Sequence, residues 1–355
     1  MINNKLQEDY FQQRNHDNIL KTREILSTLP DFCQDYFIAI ENTTSALSRL
    51  NYAYDLRVFF YYLMTETNLF EGKRIQDITV DDMNIIGAKH IERFISYIAQ
   101  YEYNGKLYTN GECGKARKLA SVRAFFKYLF KNDLIKANNA DKVSMPKRHE
   151  KEIIRLEPNE VARLINESET GIDLTGKQKA FHEHTAIRDT ALLTLLLGTG
   201  MRISECVGLN VDDIDFSANA LKITRKGGNR VVLYFGDEVR NALIDYLKVR
   251  EQIKIDANEK ALFLSLQRKR MTPRAIQKLV KKYSEIITPL KHITPHKLRS
   301  TFGTALYRET QDIYIVADVL GHKDVNTTRK HYAAISDDMR RKVAGKVVLR
   351  DNENN

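Results

Sequence analysis

The segment TPHKLRSTFGTAL (294–306) sets His296 and Arg299 three positions apart, just behind Thr294 and Pro295. Threonine is a favoured helix N-cap and proline suits the first helical turn, so the pair is expected on one face near a helix N-terminus. A cation, an imidazole and the positive end of a helix converging there describe an anion site, the plainer alternative being a surface helix with unrelated polar residues. In LLGTGMRISECVGL (196–209), Arg202 follows a glycine turn at a helix–helix connection. Its planar fork can grip two phosphate oxygens or serve a structural ion pair, and Glu205, one turn on, can hold or orient a basic partner. Lys226 stands at the turn of a hairpin between Arg225 and Arg230. A lysine there can enter a DNA groove and give a proton to a departing oxygen, or simply be solvated. In DVLGHKDVNTTRKHYAAI (318–335), Gly321 ends one helix, His322 follows at its cap, and Asn326 or Thr327 can start a short helix carrying Tyr332. A single tyrosine is ordinarily a packing residue. The set is what points to chemistry: two arginines, a lysine, two histidines and a tyrosine in fixed order, with no acidic metal cluster near them.

These groups need a scaffold, and the patterning supplies one. Residues 1–28 read as a polar N-terminal extension, and helical patterning runs from 29 to 141. Within it, NYAYDLRVFFYYLMTE (51–66) places Leu56, Phe59, Phe60 and Leu63 at helix spacing, and HIERFISYIAQY (90–101) and KARKLASVRAFFKYLFKNDLI (115–135) repeat the pattern. In the last, Leu119, Val122, Phe126 and Leu129 form a stripe while Arg117, Lys118 and Arg123 fall largely outside it, which predicts a small helical domain with a basic face. Residues 142–156 are basic, contain Pro146 and lack sustained periodicity. They are expected to be a linker whose Lys147 and Arg148 either contact DNA or are solvated.

A second domain is expected over 157–348, followed by a polar tail at 349–355. There IRDTALLTLLLGTG (187–200) reads as a buried helix ending at glycines, and ALKITRKGGNRVVLYF (220–235) as a β-hairpin about Gly227-Gly228-Asn229. Helical spacing returns after about residue 238, closing with SDDMRRKVAGKVV (336–348), where Met339, Val343, Ala344 and Val347 share one side and Ser336 can cap. The stretch NESETGIDLTGKQKAFHEHTA (166–186) reads as a polar surface loop whose His182 and His184 are too few for a metal site. The fold class is therefore mainly α with a small β-sheet.

Lys plus Arg number 56 against 46 Asp plus Glu, a net charge of +10. That balance suits a polyanionic partner, nucleic acid first and an anionic membrane surface second. Cys33, Cys113 and Cys206 show no CxxC spacing, so neither a disulfide framework nor a zinc knuckle is suggested. The N-terminus has no apolar signal core and no segment approaches a membrane span, so a soluble, cytoplasmic protein is expected.

The quoted residues resemble the tyrosine recombinase (phage integrase) family, especially its Xer-type members, over roughly residues 30–345. GMRISE matches the box of the family's first arginine, HKLR the second box, and LGH the third, with a tyrosine close behind. The resemblance implies that Arg202, Lys226, His296, Arg299 and His322 form the active site and Tyr332 is the nucleophile. It implies a SAM-like helical core-binding domain (29–141) and an α+β catalytic domain (157–348) ending in an exchange helix, closing on double-stranded DNA as a clamp. Arg117, Lys118, Arg123, Lys147 and Arg148 would face that DNA. The implied reaction forms a 3′-phosphotyrosyl intermediate and a Holliday junction, on a homotetramer at paired sites, without metal or cofactor. Its setting would be chromosome dimer resolution or integration and excision of a mobile element. Tyr332 follows His322 by ten positions, one more than is usual in the family; His331 stands at the usual position, but imidazole is not the family's nucleophile. The 166–186 stretch is similar to the insertion of XerS-type recombinases. Two rivals share features of this pattern: a type IB topoisomerase and a DNA-binding regulator that has lost catalysis.

Overall fold

The computed structural model describes residues 10–147, 149, 153–225, 228–322, 324 and 325. The chain forms two compact units, Met1–Lys151 and Glu152–Asn355; among the described residues both are mainly helical and each carries one small antiparallel sheet.

The first unit contains α1 (Tyr10–Leu26), α2 (Phe32–Ala39), α3 (Ala46–Thr65), α4 (Ala88–Tyr97), the strands β1 (Gln100–Tyr103) and β2 (Lys106–Thr109), and α5 (Glu112–Lys131). Its core is aromatic. Phe59 and Phe60 of α3 meet Phe94 of α4 and Phe125 and Phe126 of α5, with edge-to-face ring contacts of 5.0 Å between Phe59 and Phe94 and 6.2 Å between Phe60 and Phe125. Each such buried ring contributes roughly 1.5–3 kcal/mol relative to exposure. The stripe Leu119, Val122, Phe126 and Leu129 is fully buried on α5.

Two expectations are corrected in this unit. Residues 1–28 are not wholly a polar extension, because α1 lies against α3 and sends Ile25 and Leu26 into the core. Of its buried polar residues, Thr22 donates from Oγ1 to the Asn18 carbonyl at 2.7 Å, whereas Asn18 Nδ2 is buried with no hydrogen-bond partner among the described residues. The helix expected over 90–101 stops at Tyr97, and a hairpin follows. Asn104 and Gly105 take φ of 51° and 69°, the pair of left-handed residues a two-residue type I′ turn demands. Tyr101 then pairs with Tyr108, their rings stacked at 5.3 Å.

The second unit contains α6 (Pro158–Thr170), α7 (Gly176–Thr199), α8 (Ile203–Gly208), the strands β3 (Ile214–Asp215), β4 (Ala220–Thr224) and β5 (Arg230–Tyr234), α9 (Asp237–Glu251), α10 (Pro273–Ile287), α11 (Pro295–Thr310) and α12 (Ile313–Leu320). Helix α7 is the spine: Leu192, Leu193, Leu195 and Leu196 are buried all round it, and α6, α9 and α11 pack against it. The hairpin read from sequence is β4–β5, with Thr224 opposite Arg230, and β3 adds a third strand that the periodicity did not announce.

The 166–186 stretch is corrected from loop to helix: α6 continues to Thr170, Gly171 caps it in the left-handed conformation, and α7 starts at Gly176. His182 turns inward, its Nδ1–H donating to Tyr283 Oη at 3.0 Å, which in turn donates to the buried Asp189 carboxylate at 3.0 Å. Burial, reinforced by the Asp189 charge, pushes the Tyr283 phenol well above its ordinary range, so this tyrosine is a hydrogen-bonding post. His184 is exposed, and the two imidazoles do not converge.

Candidate active site

Helix α7 ends at Gly200, at φ 60°, and the chain turns immediately into Arg202, the N-cap of α8. A Cβ at Gly200 would lie 2.3 Å from Phe302 and 3.0 Å from Leu320, so glycine is required by both the turn and the neighbouring helices. The buried Glu205 carboxylate accepts from the Arg202 backbone N–H at 2.7 Å and from Nη1 at 2.8 Å, fixing the residue at its main chain and its fork. Arg202 Nη2 donates to the Gly321 carbonyl at 3.0 Å. One-third of the Arg202 side chain remains exposed.

Thr294 is the N-cap of α11 and Pro295 its first residue, although the Thr294 side chain makes no capping bond. His296 and Arg299 stand three positions apart on this helix in contrasting surroundings: His296 is exposed, whereas Arg299 retains 5% exposure. Arg299 Nη1 donates to the Gly200 carbonyl at 2.7 Å and Nη2 to the Leu320 carbonyl.

The third part of the site is the end of α12. Asp312 caps its N-terminus, accepting from Tyr314 N at 2.7 Å, and Gly321 ends it at φ 61°. Gly321 N donates to the Asp318 carbonyl at 2.8 Å and His322 N to the Ala317 carbonyl at 2.9 Å, the paired closure of a Schellman cap. That cap leaves the carbonyls of Leu320 and Gly321 to the two arginines, and His322 follows directly, half-buried. Arg225, at the end of β4, reaches the same helix end, donating from Nη2 to the Val319 carbonyl at 2.9 Å. Arg202, Arg299 and His322 are thus brought together by one corner, Leu320–Gly321–His322. The C-terminal pole of α12 favours cations, and carbonyl partners leave a guanidinium its charge.

Cys206, one position past Glu205, is buried, and burial with the Glu205 charge pushes its thiol up to about 12, which makes it inert as a nucleophile. Among the described residues no group of three or more His, Cys, Asp or Glu side chains converges as a metal site, and no helix is long and apolar enough to cross a membrane. Lys226, His331 and Tyr332, the short helix expected to carry Tyr332, and the 336–348 segment with its tail lie outside the described residues.

The basic face of the first unit is redrawn. Lys118 is 6% exposed, and its Nζ meets Asp55 Oδ1 at 3.1 Å, so its assignment to an open DNA-facing surface is corrected: a buried carboxylate claims it. Arg117 joins the same carboxylate at 2.5 Å but keeps 45% of its side chain exposed. Arg123 is anchored on the carbonyls of Ala140, Asp141 and Val143. Lys147 is exposed, and Arg148 lies outside the described residues. Asp55 escaped the sequence reading, though a lone acid amid the aromatics of 51–66 is a visible signal.

Residues 154–339 match the model of the phage integrase family. The chain is 32% identical over 310 residues to tyrosine recombinase XerC of Caldanaerobacter subterraneus subsp. tengcongensis, covering 83% of this chain and 80% of that one. It is 28% identical over 308 residues to tyrosine recombinase XerC of Chlorobaculum tepidum, covering 83% and 87% of the two chains. In fold it is similar to XerH site-specific recombinase, solved bound to a palindromic difH substrate as a post-cleavage complex, with a TM-score of 0.63 at 19% identity over 84% of this chain and 80% of that one.

Proposed function

This chain belongs to the phage integrase family, as a Xer-type tyrosine recombinase of site-specific DNA recombination, and from that premise we propose that the corner gripped by Arg202 and Arg299 is where it holds a scissile DNA phosphate. The observation that carries the reading is the meeting of both guanidiniums and His322 on the one helix end. Arg202 and Arg299 hold the non-bridging oxygens, with bonds that strengthen as charge grows in the transition state. A phenol titrates near 10, so attack requires proton removal, which falls to His296 on the exposed first turn of α11. The Tyr332 oxygen forms a bond to phosphorus, the bond from phosphorus to the 5′ oxygen breaks, and Lys226 gives that oxygen its proton. His322 holds a phosphate oxygen or the geometry around it.

The product is a 3′-phosphotyrosyl enzyme and a free 5′-hydroxyl. One phosphodiester replaces another, so resealing draws on neither nucleotide nor metal. Attack by a partner strand's hydroxyl gives a Holliday junction, and four protomers on two paired sites complete the exchange. Duplex DNA is the partner of both units, with Arg117, Arg123, Lys147 and Arg148 its contacts in the first, in a soluble cytoplasmic enzyme.

The test is the covalent adduct. On duplex DNA selected for binding, the wild-type protein is expected to trap as a protein–DNA adduct, Tyr332→Phe to bind without trapping, and His331→Ala to trap normally. Recovery of the DNA-linked peptide on any residue other than Tyr332 overturns the assignment.

A further inference from the structure

We infer that Arg225 is a positioning residue for strand cleavage, fastening the turn that leads into Lys226 to the helix end that carries His322. The inference rests on the acid role proposed above for Lys226.

Arg225 works in two directions at once. Its backbone continues the β4–β5 ladder, with N donating to the Asn229 carbonyl at 2.8 Å and its own carbonyl accepting from Gly228 N at 3.0 Å. The base of the turn is therefore fixed on both sides by this residue. Its side chain leaves the sheet and lies on α12: Nη2 donates to Val319 O at 2.9 Å, and both Nη1 and Nη2 lie 3.4 Å from Asp318 O. The chain separations, 93 and 94 residues, make this a tie between distant segments.

Four successive carbonyls at the end of α12 are thereby divided among three arginines, with Asp318 and Val319 going to Arg225, Leu320 to Arg299 and Gly321 to Arg202. The packing is close. A Cβ on Gly321 would lie 2.3–2.8 Å from the Arg225 guanidinium, and Arg225 Nε is buried with no hydrogen-bond partner among the described residues. A solvated surface arginine would not leave a donor unsatisfied, so the guanidinium's placement is enforced by its surroundings. The residue after Arg225 in the chain is Lys226.

The experiment replaces the leaving group. A DNA site with sulfur in place of the bridging 5′ oxygen expels a thiolate, whose conjugate acid titrates far below an alcohol, so cleavage no longer needs a proton donor. Arg225→Gln is expected to slow cleavage of the oxygen substrate about 10- to 100-fold and of the sulfur substrate by less than about threefold. Arg225→Lys should fall between wild type and Arg225→Gln on oxygen, since an ammonium cannot bridge two carbonyls as a fork does. Unchanged affinity for a half-site and an unchanged unfolding transition establish that the variants are folded.

Lys226→Ala is run in parallel. If sulfur rescues Lys226→Ala but not Arg225→Gln, the tie serves the arginine grip and the inference is overturned while the acid role stands. Absence of any defect in Arg225→Gln overturns it equally. If sulfur fails to rescue Lys226→Ala, the acid role itself is wrong and the inference falls with it.

Discussion

Asp55 on α3 and the C-terminal pole of α12 each gather basic side chains from far along the chain, with different electrical results. Asp55 is wholly buried and takes Arg117, Lys118 and the hydroxyl of Ser121, all from α5. The Lys118 charge is cancelled in place, and its net effect is to lock α5 onto α3. The end of α12 takes Arg202, Arg225 and Arg299 on neutral main-chain carbonyls, and Glu205 adds a carboxylate bond to Arg202. A main-chain carbonyl, unlike the Asp55 carboxylate, carries no net charge to set against that of a guanidinium. The partner, more than the residue type, decides whether a cation contributes to structure or to a field that a phosphate can feel.

The strongest way to break this contrast is to remove a carbonyl-held arginine. Arg299→Ala or Arg202→Ala is expected to lower adduct formation by about 10²- to 10³-fold with a change in half-site affinity of less than about tenfold, as an interaction made chiefly in the transition state requires. Comparing single-turnover trapping with equilibrium binding checks this, and equal losses in both would reduce the corner to a binding pocket.

The converse substitution acts on stability. Asp55→Asn leaves Lys118 buried without its counter-charge and is expected to destabilise the first unit by about 3 kcal/mol, read from urea unfolding, with cleavage per folded molecule unchanged. Adding Lys118→Met should restore most of the loss. A double variant as unstable as the single one would mean that the carboxylate matters for Ser121 and Arg117 rather than for the buried ammonium.

The smallest expected effect sharpens the boundary between the two roles. Arg117→Gln with Lys147→Gln should flatten the salt dependence of DNA binding by about 0.9 in slope for each phosphate no longer neutralised, whereas Lys118→Met should leave the slope unchanged. A changed slope for Lys118→Met would return that lysine to the DNA-facing set.

Sequence and structure agree most closely where the determinants are local. Gly200 and Gly321 stop their helices because each caps in the left-handed region, and the glycines between β4 and β5 mark that hairpin. The boxes around Arg202, Arg299 and His322 were visible as strings. What bound them into one corner was not, since the Gly321 carbonyl that Arg202 finds lies 119 residues away. The same blindness misplaced Lys118, whose partner lies 63 residues upstream and whose helix position alone looks solvent-facing. The β1–β2 hairpin was missed for a different reason. Asn104-Gly105 is a strong turn signal, but the apolar spacing that ends at Tyr101 carried the helix reading past Tyr97, where the chain changes period.

The long reach of the α12 corner also sets a timetable for synthesis. Arg202 leaves the ribosome 119 residues before the carbonyl it will hold, and Arg299 precedes its Leu320 acceptor by 21. A nascent chain that already displays the complete first unit, and even both arginines, has no closed corner until α12 has emerged and docked. A product stopped short of Leu320 therefore lacks the helix end on which both arginines are assembled.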